Sequence, residues 1–117
     1  LTSPDGTTWT SQTSGTFKNL SEVIYANSTF VAVGVDGVIL TSPDGTTWTT
    51  RTSGTTEIML DITYSNSTFV AVGFMGTILT SPDGETWTSR TSGTTEIMLD
   101  VTYGNSRFVV VGQNGTI

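Results

Sequence analysis

Apolar and polar positions along the chain follow a pattern that recurs every 39 residues, dividing it into units 1–39, 40–78 and 79–117 with no remainder. In the second unit and its flank, four short runs carry that pattern. They are MLDITYS (Met59 to Ser65), TFVAVG (Thr68 to Gly73), TILTS (Thr77 to Ser81) and TWTSRTS (Thr86 to Ser92). Each is rich in β-branched and aromatic residues, and each is bounded by residues suited to tight turns, so each predicts a strand. Asn66-Ser67, Phe74-Met75-Gly76 and Pro82-Asp83-Gly84 are the connections between them. Helix is disfavoured, because glycine recurs every few residues and no apolar pattern holds a 3.6 period.

The second run of each unit is apolar on both alternating sets. Phe69 and Ala71 point to one face and Val70 and Val72 to the other, which places the strand between two layers. Four antiparallel strands per unit of about 40 residues, with inner strands covered on both faces, match the blade of a β-propeller. The expected architecture is therefore all-β, with residues 1–117 forming one segment of three blades. Units two and three agree at 31 of 39 positions, and units one and two at 25 of 39, which implies recent duplication or deliberate design.

The ends of the chain interrupt the third strand. Joining Ile117 to Leu1 gives NGTI-LTSPDG, which regenerates the GTILTSPDG found at Gly76 to Gly84. Residues 1–14 thus hold the end of a third strand and a whole fourth, while residues 98–117 hold the first two strands and the start of a third. Propellers close with roughly four to eight blades. The expectation is a head-to-tail homodimer of six blades, each seam closed by strand exchange between one chain's start and its partner's end. Such closure also removes exposed sheet edges.

Charge and composition narrow the partners. Ten acidic residues against four basic ones give a net charge of -6, which opposes binding to nucleic acid or to anionic lipid. With no cysteine and no histidine, disulfides, thiolate zinc sites and imidazole chemistry are excluded, and no cofactor is expected. No apolar run reaches the ~18 residues of a membrane span. The opening residues LTSPDGTT lack the basic and apolar regions of a signal peptide. Richness in Thr, Ser, Gly and Asn with an acidic balance suits a secreted or cell-surface bacterial repeat.

One string returns in every unit: SPDGTTWT at Ser3 and Ser42, and SPDGETWT at Ser81. It resembles the Asp-box, or bacterial neuraminidase repeat, in the shorter variant with adjacent Asp and Gly that is similar to repeats of photosystem assembly factors and sortilin-type receptors. The matching residues are Ser3, Asp5, Gly6 and Trp9; Ser42, Asp44, Gly45 and Trp48; and Ser81, Asp83, Gly84 and Trp87. The resemblance spans the whole chain and implies propeller blades, with the boxes on hairpins away from the ligand face. In physical terms the Asp accepts bonds from following backbone amides, the Gly supplies a positive φ, and the Trp pins the turn to its sheet. The motif therefore reads as a hairpin staple rather than as a carboxylate site.

Variation among the units marks a different surface. The turns Val35-Asp36, Phe74-Met75 and Gln113-Asn114 differ, and so do the connections TFKNLSE (Thr16 to Glu22) and TTEIMLD (Thr55 to Asp61, Thr94 to Asp100). In propellers these two loop sets share one face, which becomes the candidate binding surface for a glycan or a protein. Glu22, Asp61 and Asp100 share one position near the start of the innermost strand. They are weak candidates for a hard-cation ring, and backbone hydrogen bonding is the competing account. Potential glycosylation sequons at Asn19, Asn27, Asn66 and Asn114 are equally explained by the needs of turns.

The family resemblance also raises sialidase-like hydrolysis, which in that family needs three convergent arginines, a tyrosine nucleophile with a glutamate, and an acidic proton donor. Arg51, Arg90 and Arg107 are the only arginines, and two of them are equivalent repeat positions. Tyr25, Tyr64 and Tyr103 share one repeat position suited to core packing. The expectation is a non-catalytic binding or scaffold module. The alternatives are a designed or recently amplified self-assembling protein with no selected ligand, and a hydrolase.

Overall fold

The structure is a computed structural model describing residues Leu1–Ile117, and it is all-β. Ten strands run β1 (Leu20–Ala26), β2 (Thr29–Gly34), β3 (Ile39–Ser42), β4 (Thr49–Arg51), β5 (Met59–Ser65), β6 (Thr68–Gly73), β7 (Ile78–Ser81), β8 (Thr88–Arg90), β9 (Met98–Gly104) and β10 (Arg107–Gly112). They form two antiparallel four-stranded sheets in sequence order, β1-β2-β3-β4 and β5-β6-β7-β8, and a two-stranded sheet of β9 and β10. No helix is long and apolar enough to cross a membrane, and the sheets do not close into a barrel.

The first two strands of the second unit occupy the residues their sequence marks, Met59–Ser65 and Thr68–Gly73. The fourth is shorter than expected, Thr88–Arg90 instead of Thr86 to Ser92. The amide of Thr86 donates to Asp83 Oδ1 and the Ser92 hydroxyl donates to Thr94 O, so both ends of that run belong to side-chain-braced loops and not to the ladder. The β5–β6 hairpin turns on Asn66 and Ser67, both at positive φ (48° and 56°), as a two-residue hairpin with the twist of its strands requires.

The apolar core lies between sheets. Val31, Val33 and Ile39 of the first sheet pack against Met59, Ile62, Phe69, Ala71 and Leu79 of the second. Val70 and Val72, on the opposite side of β6, pack against Met98 and Val101 of β9. The alternation that made FVAVG apolar on both sides therefore serves two interfaces at once. The first strands β1, β5 and β9 lie next to one another across the stack. Asp61 Oδ2 accepts the Val101 amide at 2.7 Å, a bond from one sheet to the next.

At the two ends the pattern is incomplete. Residues Thr2 and Thr10 bridge to each other through two 2.8 Å backbone bonds, forming a small hairpin. No backbone hydrogen bond joins residues 1–14 to residues 98–117 within the chain.

Candidate functional site

The three SPDG boxes fold alike whether or not their surroundings bury them. In the box at Ser3, Ser3 Oγ accepts the Gly6 amide at 2.8 Å, and Asp5 Oδ1 accepts the amides of Thr7 and Thr8 at 2.8 and 2.9 Å. Ser42 and Asp44 make the same bonds at 2.8, 2.8 and 2.7 Å, and Ser81 and Asp83 make them at 2.8 Å throughout. Ser42, Gly45, Ser81 and Gly84 are buried, whereas Ser3 is half-buried and Gly6 exposed; the three aspartates are exposed alike. The network is therefore local: Pro fixes the entry, the Asp side chain collects two successive amides, and Gly6, Gly45 and Gly84 close the turn at φ 74°, 76° and 79°. Amides Thr8, Thr47 and Thr86, followed by Thr7, Thr46 and Glu85, hold the three carboxyls below the usual carboxylate range. Each carboxylate is committed to its own turn.

The tryptophans divide. Trp48 Nε1 donates to Gly45 O at 3.2 Å and Trp87 Nε1 to Gly84 O at 2.8 Å, and each ring stands 6.4 Å from a phenylalanine of its sheet, Phe30 or Phe69. Trp9 does neither and is 58% exposed. Its hairpin lacks the neighbouring strand that would carry the equivalent phenylalanine, so the expected pinning holds for two boxes of three.

Glu22, Asp61 and Asp100 do not gather into a ring of ligands; no group of three or more such side chains lies close enough to hold a metal ion. Asp61 instead accepts the Val101 amide, and Glu22 Oε1 accepts the Val23 amide at 3.2 Å. Burial, with Asp100 alongside, pushes the Asp61 carboxyl above its usual range despite the amide.

The variable turns are tight single turns: Val35–Gly37, Phe74–Gly76 and Gln113–Gly115, with Asp36, Met75 and Asn114 all left-handed at φ 52° to 53°. The first two turns touch the connections on both sides. Val35 N donates to Asn19 O and Gly37 N to Glu57 O; Phe74 N donates to Ile58 O and Gly76 N to Glu96 O. The two loop sets singled out by variation are thus brought together.

They border two equivalent clefts. One, of about 810 Å³, is lined by Lys18, Asp36, Arg51 and the hydroxyls of Thr50, Thr52, Ser53 and Thr55. The other, of about 630 Å³, is lined by Met75, Arg90, Ser89, Thr91, Ser92 and Thr94. Arg51 Nε and Arg90 Nε each donate at 2.8 Å to a threonine of the adjoining strand, Thr41 or Thr80, which ties each guanidinium to its sheet. Arg51 also pairs with Glu85 at 2.6 Å, and Lys18 lies 3.8 Å from Asp36. Sequence reasoning missed the walls of these clefts because it looked for variable positions. The signal was the string RTSGT, repeated at Arg51 to Thr55 and Arg90 to Thr94, where the first unit has QTSGT at Gln12 to Thr16.

The residues considered for hydrolysis are dispersed. Arg51, Arg90 and Arg107 line three different clefts. Tyr25, Tyr64 and Tyr103 each lie against a phenylalanine of the same sheet, with ring centroids 4.5, 4.4 and 4.7 Å apart. Comparison of the chain with family models, curated proteins and solved structures returns no match.

Proposed function

We propose that the chain is half of a six-bladed β-propeller, and that the ring formed by two copies is a non-catalytic binding or scaffold module. The single observation that carries the binding role is the recurrence of one cleft in equivalent places, each walled by Ser and Thr hydroxyls and one clamped guanidinium. Such walls suit a hydroxyl- or amide-rich ligand, a glycan or a polar protein segment. A repetitive ligand engages several weak clefts at once and gains avidity without new contacts. Dispersion of the arginines supports binding over sialidase-like hydrolysis, because a bidentate grip on one carboxylate needs convergent guanidinium groups.

The test combines native mass with a glycan array. A mass near twice the 12.4 kDa of the chain is expected, together with array signals that disappear when Arg51 and Arg90 are both replaced by alanine. A monomeric mass overturns the ring. An intact dimer that binds nothing on the array and no repetitive polar peptide overturns the binding role. That result favours the second reading, a self-assembling repeat without a selected ligand, which the near-identity of units two and three supports.

A further inference from the structure

The geometry points to a defined seam: β10 of one protomer pairs with Leu1–Ser3 of a second copy, and an apolar core divided between the two chains closes against it. This rests on the ring reading above and adds the register and the contacts by which the ring closes.

Four observations carry it. The first is the ladder. β2 and β6 are paired on both edges, with Val31 opposite Thr41 and Ala32 opposite Leu40, and Val70 opposite Thr80 and Ala71 opposite Leu79. β10 is paired with β9 alone. One repeat further on, the missing register is Val109 opposite the partner's Thr2 and Val110 opposite the partner's Leu1.

The second is the core. Between the first two sheets, Val31, Val33 and Ile39 face Met59, Ile62, Phe69, Ala71 and Leu79. Two repeats further on, the first three positions are Val109, Val111 and Ile117. The other five fall in the second copy as the partner's Leu20, Val23, Phe30, Ala32 and Leu40, so every position stays apolar. Val31 and Val33 are fully buried, whereas Val109 and Val111 are 39% and 40% exposed and Ile117 is 90% exposed. At the chain's other end an apolar cleft of about 290 Å³, lined by Leu1, Leu20, Val23, Ala32 and Trp48, lies open to receive them.

The third is the turn at Gly115. At Gly76 a Cβ would overlap the Thr94 carbonyl oxygen and lie 2.8 Å from Ser92 Oγ, and Gly37 meets Thr55 and Ser53 in the same way. Gly115 has the same left-handed turn, yet nothing lies within 4 Å of it. The matching surface exists at the other end of the chain, where Ser14 Oγ donates to Thr16 O at 3.1 Å, as Ser53 Oγ does to Thr55 O. The fourth is the aromatic stack. Tyr25, Phe30 and Trp48 form one set and Tyr64, Phe69 and Trp87 another, while Tyr103 and Phe108 end without a tryptophan and Trp9 stands exposed.

The chain has no cysteine, so introduced pairs report the register. The full chain carrying Thr2→Cys and Val109→Cys, oxidised with copper phenanthroline, is expected to run as a covalent dimer. The off-register pair Thr2→Cys with Val110→Cys, whose side chains point to opposite faces, is expected to stay unlinked. Failure of the in-register pair to link, an internally closed monomer, a ladder of larger products, or equal linkage of the off-register pair overturns the seam. The unsubstituted chain separates the two readings: a dimeric mass without in-register linkage leaves the ring and removes the seam, and a monomeric mass removes both. Gly115→Ala, which adds no cysteine, supplies a second measurement. It is expected to raise the dimer Kd at least ~10-fold, while Gly93→Ala, also at positive φ in open space, changes it by less than ~2-fold. Equal effects of the two overturn the docking of this turn.

Discussion

Replacing Gly76 by alanine separates backbone strain from packing when it is compared with the same change at Gly93. Both residues are left-handed, at φ 67° and 82°. A side chain at either site costs about 1–2 kcal/mol for that conformation alone. At Gly93 nothing lies within 4 Å of the added methyl, so the cost stops there. At Gly76 the methyl overlaps Thr94 O and lies 2.8 Å from Ser92 Oγ. To make room, the connection must withdraw. That strains the Gly76 amide's bond to Glu96 O at 3.0 Å and the Ser92 hydroxyl's bond to Thr94 O at 3.0 Å. Two hydrogen bonds at ~0.5–1.5 kcal/mol each add about 1–3 kcal/mol. Gly76→Ala is therefore expected to cost about 2–5 kcal/mol and Gly93→Ala about 1–2 kcal/mol. Urea unfolding at equal protein concentration, with unchanged m, measures both as midpoint shifts. A difference below ~0.5 kcal/mol refutes the claim that turn and connection are in rigid contact.

Further outcomes follow from the same contacts. Phe69→Ala, in the core between the first two sheets, is expected to destabilise by about 3–5 kcal/mol in the same urea assay. Asp61→Ala leaves the amide of buried Val101 without its 2.7 Å acceptor and is expected to cost about 1–3 kcal/mol, whereas Asp61→Asn keeps an acceptor and costs less; equal losses would remove this staple between sheets. Acid titration should show stability intact above the ordinary aspartate value of 3.8 and falling only below it. The three box carboxyls sit lower when folded, so the unfolded chain binds more protons as pH drops. Asp61, raised by burial, works in the opposite sense, and Asp61→Asn should therefore slightly raise stability at pH 7 relative to pH 4.

The sequence by itself determined the local structure. Strand identity, the two-residue hairpin at Asn66-Ser67 and the SPDG turns depend on side chains within a few residues of one another. That is why the box at Ser3 forms the same hydrogen bonds exposed as the box at Ser42 forms when buried. The double-sided apolar character of FVAVG likewise anticipated that β6 would serve two interfaces, because alternation maps directly onto the two faces of a strand. Tertiary structure decided what depends on distant neighbours. It turned Asp61 from a cation candidate into an acceptor for the Val101 amide, since only the approach of β9 to β5 brings that amide within reach. It also folded the two RTSGT strings into cleft walls, a role that no comparison of variable positions could reveal, because a wall is made by what faces it across space.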